Sequence, residues 1–420
     1  MKLLKNIRLY TGEEYFEKGA VAFDEDGIVY AGDQSAVPGD IRADVIDGKG
    51  GLCMPPMVNA HTHAAMVLLR GVASDENLND WLDKVVPIEE KYDPQMIHDG
   101  TMLAIAQMIR TGTSAFADMY YHMHSVIDTA LETGIRVNIT RGSSSREGVD
   151  SHVGWFRDYD GAANGNIRVY MGIHAEYTSD EDIVSYAVGT AASLGTGIHV
   201  HVSESAYEVA GCRERHGCSP VEYFDRLGVF GLPTIAAHCV HLTDSDIALL
   251  GERHVNVAHC PVSNLKLGNG IAKIKELAEA GANIAVGTDG ASSNNSLDMF
   301  RETKAMSLLA KGSLEDPKAM NAAESLRYAS YNGYRALGFN NAGLLKAGMD
   351  ADMIVLDSGS FNMFPGVDPV ADAVYSATGE DVTLNIVNGK VLYAFGEFKT
   401  LDIEKVRKEA YATACGLGIV

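Results

Sequence analysis

Two histidines one residue apart, His61 and His63, stand at the end of a short apolar run in Val58-Asn59-Ala60-His61-Thr62-His63. Side chains i and i+2 of an extended segment share a face, so both imidazoles aim at one spot, as two ligands of one cation must. A second run, Ile198-His199-Val200-His201-Val202-Ser203-Glu204, ends in His201 and Glu204. His238 closes Ala236-Ala237-His238, and Asp289 closes Gly287-Thr288-Asp289-Gly290. Three imidazoles and a carboxylate form a ligand set for zinc or ferrous iron that leaves a position for water. The expected ligands are His61, His63, His201 and Asp289, and zinc is the first expectation for the ion. A bound divalent cation lowers the pKa of its water towards about 7 and so supplies hydroxide at neutral pH. Glu204, three residues past His201, is placed to reach a ring nitrogen of a substrate. His238 is placed to hydrogen-bond the water. The chemistry this set would do is metal-assisted hydrolysis.

These residues need a scaffold that delivers distant stretches to one place. Eight apolar strand candidates alternate with helix-like stretches from Leu52 onward: Leu52–Val58, Ser114–Asp118, Arg136–Arg141, Arg168–His174, Gly197–Val202, Thr234–Cys239, Val255–His259 and Asn283–Thr288. Helix-like segments between them include Pro94–Arg110, Ser179–Leu194, Asp244–Glu252 and Ile271–Ala280. Near-continuous apolar strands separated by helices indicate a parallel sheet covered on its outside. Eight such units match an α/β fold of the (β/α)8 barrel type, in which groups at the C-terminal strand ends face one mouth. An open doubly wound sheet would want a glycine-rich phosphate loop after its first strand, and Asn59-Ala60-His61 stands there instead. The fourth strand candidate ends Met171-Gly172-Ile173-His174 without a lysine to bridge a second metal, so one ion is expected.

Before and after the barrel pattern the chain reads as short strands and turns. Asn6–Tyr10, Ala20–Phe23, Ile28–Ala31 and Val45–Ile46 are punctuated by Gly12, Asp26-Gly27 and Asp47-Gly48. Strand and turn return in Gly348–Leu356 and Asn385–Leu392, after a helical stretch over Pro317–Leu337 and before a helical tail over Ile403–Cys415. The two ends are expected to pair in one small β-sandwich, giving residues 1–53 and 346–420 to that unit and 54–345 to the barrel.

A formal net charge of -22 argues against nucleic acid or an anionic membrane as partner, because phosphate binding needs a basic surface. Hydrophobic content of 46% with 21% charged residues is ordinary for a soluble globular protein. No apolar run approaches the roughly 20 residues that span a bilayer, and Met1-Lys2-Leu3-Leu4-Lys5-Asn6 is too soon polar for a signal peptide. The six cysteines are scattered without a Cys-x-x-Cys, so neither a disulfide framework nor a thiolate zinc site is indicated. The expected setting is reduced and cytoplasmic.

With these residues in view, the chain resembles the amidohydrolase superfamily, and within it the 5'-methylthioadenosine/S-adenosylhomocysteine deaminases and their 5'-deoxyadenosine deaminase relatives. The resemblance covers nearly the whole chain. It rests on Val58–His63, on Ala236-Ala237-His238-Cys239-Val240-His241, on Cys260-Pro261-Val262-Ser263-Asn264-Leu265-Lys266-Leu267-Gly268-Asn269-Gly270 and on Gly287-Thr288-Asp289-Gly290-Ala291-Ser292-Ser293-Asn294-Asn295. The last two are long and specific. The resemblance implies hydrolytic deamination of adenine, with Asp289 handling the proton of the attacking water, His238 orienting that water and Glu204 serving N1. It further implies that Trp81 packs on substrate, Glu89 binds ribose hydroxyls, His174 contacts the purine, Ser293 lies near the substrate and Arg141 receives a substrate carboxylate, helped by Arg146. The implied partner is a small nucleoside, and the implied assembly a dimer or tetramer.

Two stretches depart from the family pattern. Pro55-Pro56-Met57 replaces the usual Pro-Gly-Leu, and Arg141-Gly142-Ser143-Ser144-Ser145-Arg146 is unfamiliar. The alternative activity on the same site is deamination of a free nucleobase or hydrolysis of a chloro- or amino-s-triazine. His259 is expected to be structural.

Overall fold

A computed structural model describes residues 1–420. Alternating apolar residues near the N-terminus build β1 (Lys2–Tyr10), β2 (Tyr15–Asp24), β3 (Gly27–Asp33) and β4 (Asp44–Asp47). The next apolar run, read from sequence as one barrel strand, is divided. Pro55 and Pro56 offer no N–H to a ladder, so β5 (Leu52–Met54) and β6 (Met57–Thr62) belong to different sheets. β5 pairs in parallel with β1 and antiparallel with a C-terminal strand, while β6 opens the barrel.

The barrel continues through β7 (Thr113–Met119), β8 (Arg136–Thr140), β9 (Ile167–Val169), β10 (Met171–Ile173), β11 (Ile198–Val202), β12 (Thr234–His238), β13 (Asn256–His259) and β14 (Asn283–Val286). All neighbours pair in parallel, in ladders β6-β7-β8-β9 and β10-β11-β12-β13-β14. Tyr170 alone separates β9 from β10, which together make the fourth of eight strands. The ring closes where the Asp289 N–H donates to the His61 carbonyl at 3.0 Å. Asn59 reinforces that seam, accepting from the Thr288 N–H at 2.9 Å and donating to its hydroxyl at 2.7 Å.

Helices cover the outside, several of them started by a side chain that satisfies a free N–H. Asp93 caps Pro94–Arg110, Asp180 caps Glu181–Leu194 and Thr243 caps Asp244–Glu252. The stretch expected to be helical over Pro317–Leu337 is two helices, Ala322–Ala329 and Tyr331–Ala336, broken at Ser330. The barrel interior is lined by small side chains, Val58, Ala60, Ala115, Ala117, Ala258 and Ala285, which join one core with Tyr334, Leu337 and Phe339. The segment carrying those three plugs the N-terminal end of the barrel: the Leu337 carbonyl accepts from Asn138, and Phe339 lies under the Arg136 guanidinium.

The chain ends in β15 (Met353–Leu356), β16 (Val382–Val387), β17 (Lys390–Ala394), β18 (Glu397–Phe398) and the helix Ile403–Gly416. The two chain ends share one nine-stranded sheet, β18-β17-β16-β15-β5-β1-β2-β3 with β4 beside β1, over a core of Leu4, Leu9, Phe23, Met353 and Leu384. Arg136 ties this sheet to the barrel from a buried position, bonding Asp352 at 2.7 Å and Asp350 at 2.9 Å, while the Tyr334 hydroxyl adds a bond to Asp352. No helix is long and apolar enough to cross a membrane.

Candidate active site

The ends of β6, β11, β12 and β14 converge. His61 and His63 leave β6 with rings 4.9 Å apart and nearly perpendicular, and the His201 ring lies 4.8 Å from His61 and 5.4 Å from His63. One nitrogen from each of these three lies within 4.8 Å of the others, and one nitrogen each of His61 and His238 and a carboxylate oxygen of Asp289 lie as close together. Asp289 sits at φ +60°, a left-handed turn that swings its carboxylate over the histidines. Its Oδ1 is 3.4 Å from His61 Nε2 and 3.3 Å from His63 Nε2.

The surroundings decide which nitrogen faces inward. His63 Nδ1 lies 2.5 Å from the Met119 carbonyl and His201 Nδ1 2.7 Å from the His174 carbonyl. A carbonyl only accepts, so each Nδ1 carries the proton and each Nε2 presents a lone pair. His61 Nδ1 meets His199 Nε2 at 2.9 Å, and His61 Nε2 is buried without any hydrogen-bond partner. Three tethered imidazoles and an orphaned, inward lone pair beside a carboxylate fit a divalent cation, whose ligands are ordinarily held by such outer bonds.

The electrostatics agree. Burial pushes His61 down to about 3 and His201 well below the ordinary imidazole value, so both are neutral. Burial would raise Asp289, but the close approach of His61 and His63 outweighs it and holds the carboxyl well below the usual range. Burial would lower His63, yet Asp289 beside it lifts the imidazole to about 9. That pairing puts a proton where a metal ion would supply the positive charge.

Glu204 and His238 stand next to this cluster. Asn269 donates to Glu204 Oε1 at 2.9 Å, leaving Oε2 3.8 Å from His238 Nε2. Burial raises the Glu204 carboxyl above its ordinary value, which favours a proton on it. His238, at φ +73°, donates from Nδ1 to Asn264 Oδ1 at 2.8 Å and so turns Nε2 inward.

A cavity of about 410 Å³ opens over these groups, and His63, His201, Glu204, His238 and Asp289 all border it. Of the residues expected at the substrate, Trp81, Glu89, Arg141 and His174 also line it. Trp81 and Glu89 lie on a helix, Leu78–Glu89. Burial raises Glu89 to about 7, and Tyr120 donates its hydroxyl to that carboxyl. His174 follows β10 with its ring 4.8 Å from His201. Arg141 is presented by a built loop: its N–H donates to His152 Nε2 at 3.0 Å, and a Cβ at Gly172 would stand 1.9 Å from its carbonyl oxygen.

Ser293 and Arg146 do not border the cavity. Ser293 is fully buried outside the cavity wall, and its hydroxyl donates to Asp289 Oδ2 at 2.6 Å. The Arg146 guanidinium stacks on the Tyr186 ring at 4.5 Å, away from the cavity. His259 is buried and does not border the cavity either. Sequence reasoning passed over Ser263, Asn264 and Asn269, although all three lie in the motif Cys260–Gly270, and over His199, two residues before His201 on the same strand face.

This architecture, with histidines and an aspartate at the mouth of a parallel barrel, defines a class of metal-site hydrolases. The chain belongs to the amidohydrolase family, which matches it over residues 52–392, and it is a hydrolase acting on carbon–nitrogen bonds. It is 44% identical over 397 residues to a 5-methylthioadenosine/S-adenosylhomocysteine deaminase of Moorella thermoacetica, covering 93% of each chain. It is 39% identical over 421 residues to a 5'-deoxyadenosine deaminase of Methanothermobacter thermautotrophicus, covering 97% of this chain and 98% of the other. Among solved structures it superposes with a TM-score of 0.94 on an adenosine deaminase from Xanthomonas campestris with bound zinc, at 30% identity, covering 100% of this chain and 98% of that one.

Proposed function

We propose that this protein deaminates the adenine ring of 5'-modified adenosines, with 5'-methylthioadenosine, S-adenosylhomocysteine, 5'-deoxyadenosine and adenosine as the substrate group. The observation that carries this reading is geometric: Glu204 and Asp289 border one cavity, Glu204 beside His238 and Asp289 beside His61 and His63, with burial raising the first carboxyl and the histidines holding the second low. Two acids pushed apart in this way divide donor and acceptor roles between them.

His61, His63, His201 and Asp289 would hold one divalent ion, zinc in the first instance. Such an ion activates water for attack and polarises the reacting centre when bound. Asp289 accepts a proton from the water that attacks C6 of the purine, and His238 Nε2 orients that water. Glu204 delivers a proton to N1 as the C6–O bond forms. The C6–N bond then breaks, Asp289 returns its proton to the departing ammonia and Glu204 recovers one from the C6 hydroxyl. The organic product is the inosine analogue. Trp81 supplies a flat apolar wall, Glu89 faces the ribose hydroxyls and Arg141 is the cation available to a 5'-substituent carrying a carboxylate. We take the working assembly to be a dimer or tetramer, which sedimentation measures directly.

The test is ammonia release by the zinc-loaded protein from the four nucleosides, set against guanine, cytosine and a chlorotriazine. Comparing kcat/KM across the panel reads transition-state discrimination. Turnover confined to the nucleosides supports the reading. Turnover of a free base or a triazine alone would replace it.

A further inference from the structure

Where β11 ends, Ser203 takes φ +52°, a left-handed conformation that a side chain with a Cβ disfavours. Two successive N–H groups at this turn are satisfied by one carboxylate. Ser203 N–H donates to Glu208 Oε1 at 2.9 Å, and Glu204 N–H donates to Glu208 Oε2 at 2.7 Å. Glu208 is 3% exposed and lies in the first turn of the helix Ala206–His216. The N-cap of that helix, Ser205, accepts from the Glu208 N–H, so the carboxylate is held from its own backbone.

The carbonyl of the same turn is engaged as well. Ser203 O accepts from the N–H groups of Val240 and His241 at 3.1 and 2.9 Å. His241 Nε2 donates to the Asn269 carbonyl at 2.6 Å, and Asn269 Nδ2 donates to Glu204 Oε1 at 2.9 Å. A circuit of hydrogen bonds thus leaves Glu204 through its backbone and returns to it through its side chain. Glu208, Ser203 and Asn269 do not border the cavity; Glu204 does.

We propose that Glu208 is a positioning residue for the reaction, fixing the Ser203-Glu204 turn so that the Glu204 carboxyl meets the substrate ring at one place. The inference rests on the reading of Glu204 as the group serving N1. Without the Glu208 carboxylate, two buried N–H groups lose their acceptor, and the turn relaxes towards the extended conformation that Ser203 would otherwise prefer. Glutamine offers one acceptor and one donor where two acceptors are needed, so it restores half of the arrangement.

Glu208→Ala is expected to lower kcat about a hundredfold with KM changed by less than about threefold, and Glu208→Gln to lower it about tenfold; one positioned proton-transfer group is worth about 100- to 10,000-fold. Combining Glu208→Ala with Glu204→Gln should cost no more than Glu204→Gln alone, because both changes act through one carboxyl. Peptide-level amide exchange across residues 201–206 should accelerate in both Glu208 variants, while the rest of the barrel keeps its protection. Additive losses in the double variant, or unchanged exchange over 201–206, would overturn the proposal. If Glu208→Ala does not fold, the Gln variant carries the same tests. If the wild-type protein deaminates none of the nucleosides, the reading of function falls, and the exchange measurement decides the role of Glu208 on its own.

Discussion

Ser293 donates its hydroxyl to Oδ2 of Asp289 across 2.6 Å, deep beneath the cavity floor. Ser263 places a second hydroxyl on the same oxygen at 2.7 Å, which leaves Oδ1 to face His61 and His63. The two serines thereby fix the rotation of the carboxylate about its own axis. Ser293→Ala is expected to lower kcat about tenfold, the worth of one hydrogen bond to a charged group, and to leave KM within about twofold. Steady-state kinetics on the best nucleoside decides it. A raised KM at unchanged kcat would instead place Ser293 in contact with substrate.

Removing the ion should leave His61, His63, His201 and Asp289 without the cation that their inward atoms fit. Dialysis against a chelator is expected to abolish turnover and lower the melting temperature, and zinc should restore both, since a ligand that binds only the folded state stabilises it. His201→Ala should reduce the bound metal to well below one ion per chain by elemental analysis. A chelated protein with full activity would remove the metal from the mechanism.

Arg136 is a buried tie between the barrel and the terminal sheet, with its side chain 2% exposed and that of its partner Asp352 fully buried. Asp352 also accepts from the Tyr334 hydroxyl and from the Asn388 N–H. Arg136→Met leaves that carboxylate buried without a cation and is expected to cost about 3–5 kcal/mol of unfolding free energy. Adding Asp352→Asn should recover part of the loss. Urea unfolding measures both, and a loss under about 1 kcal/mol in the single variant would show that the pair is not held as described.

Glu302 predicts a slope of stability with pH. Burial raises its carboxyl to about 8 from an ordinary 4.5, although Asn294 and the Val262 N–H both donate to it. The folded protein therefore keeps a proton that the unfolded chain releases between roughly pH 4.5 and 8. Over that window the unfolded state binds fewer protons, so the contribution of this group to stability falls as pH rises. Glu302→Gln carries one donor and one acceptor, as the protonated acid does, and should flatten the slope. Chemical denaturation at pH 5, 6.5 and 8 reads the difference, and parallel profiles for wild type and variant would refute it.

Periodicity along the chain was enough to establish the alternation of strands and helices, because the barrel strands are almost wholly buried and read as near-continuous apolar runs. It was also enough to bring forward His61, His63, His201 and Asp289, since a parallel barrel sends every strand end to one rim. Spacing alone could not show that Pro55-Pro56 parts a single apolar run between two sheets, because the partners of β5, namely β1 and β15, lie about 45 and 300 residues away along the chain. Nor could it turn Ser293 towards Asp289 or Arg146 towards Tyr186: a motif fixes the order of residues, whereas the left-handed turns at Ser203, His238 and Asp289 decide which way their side chains leave the backbone. The turns at Ser203 and Asp289 are held in part by bonds to segments far along the chain, Val240-His241 and His61, which only the folded barrel brings alongside.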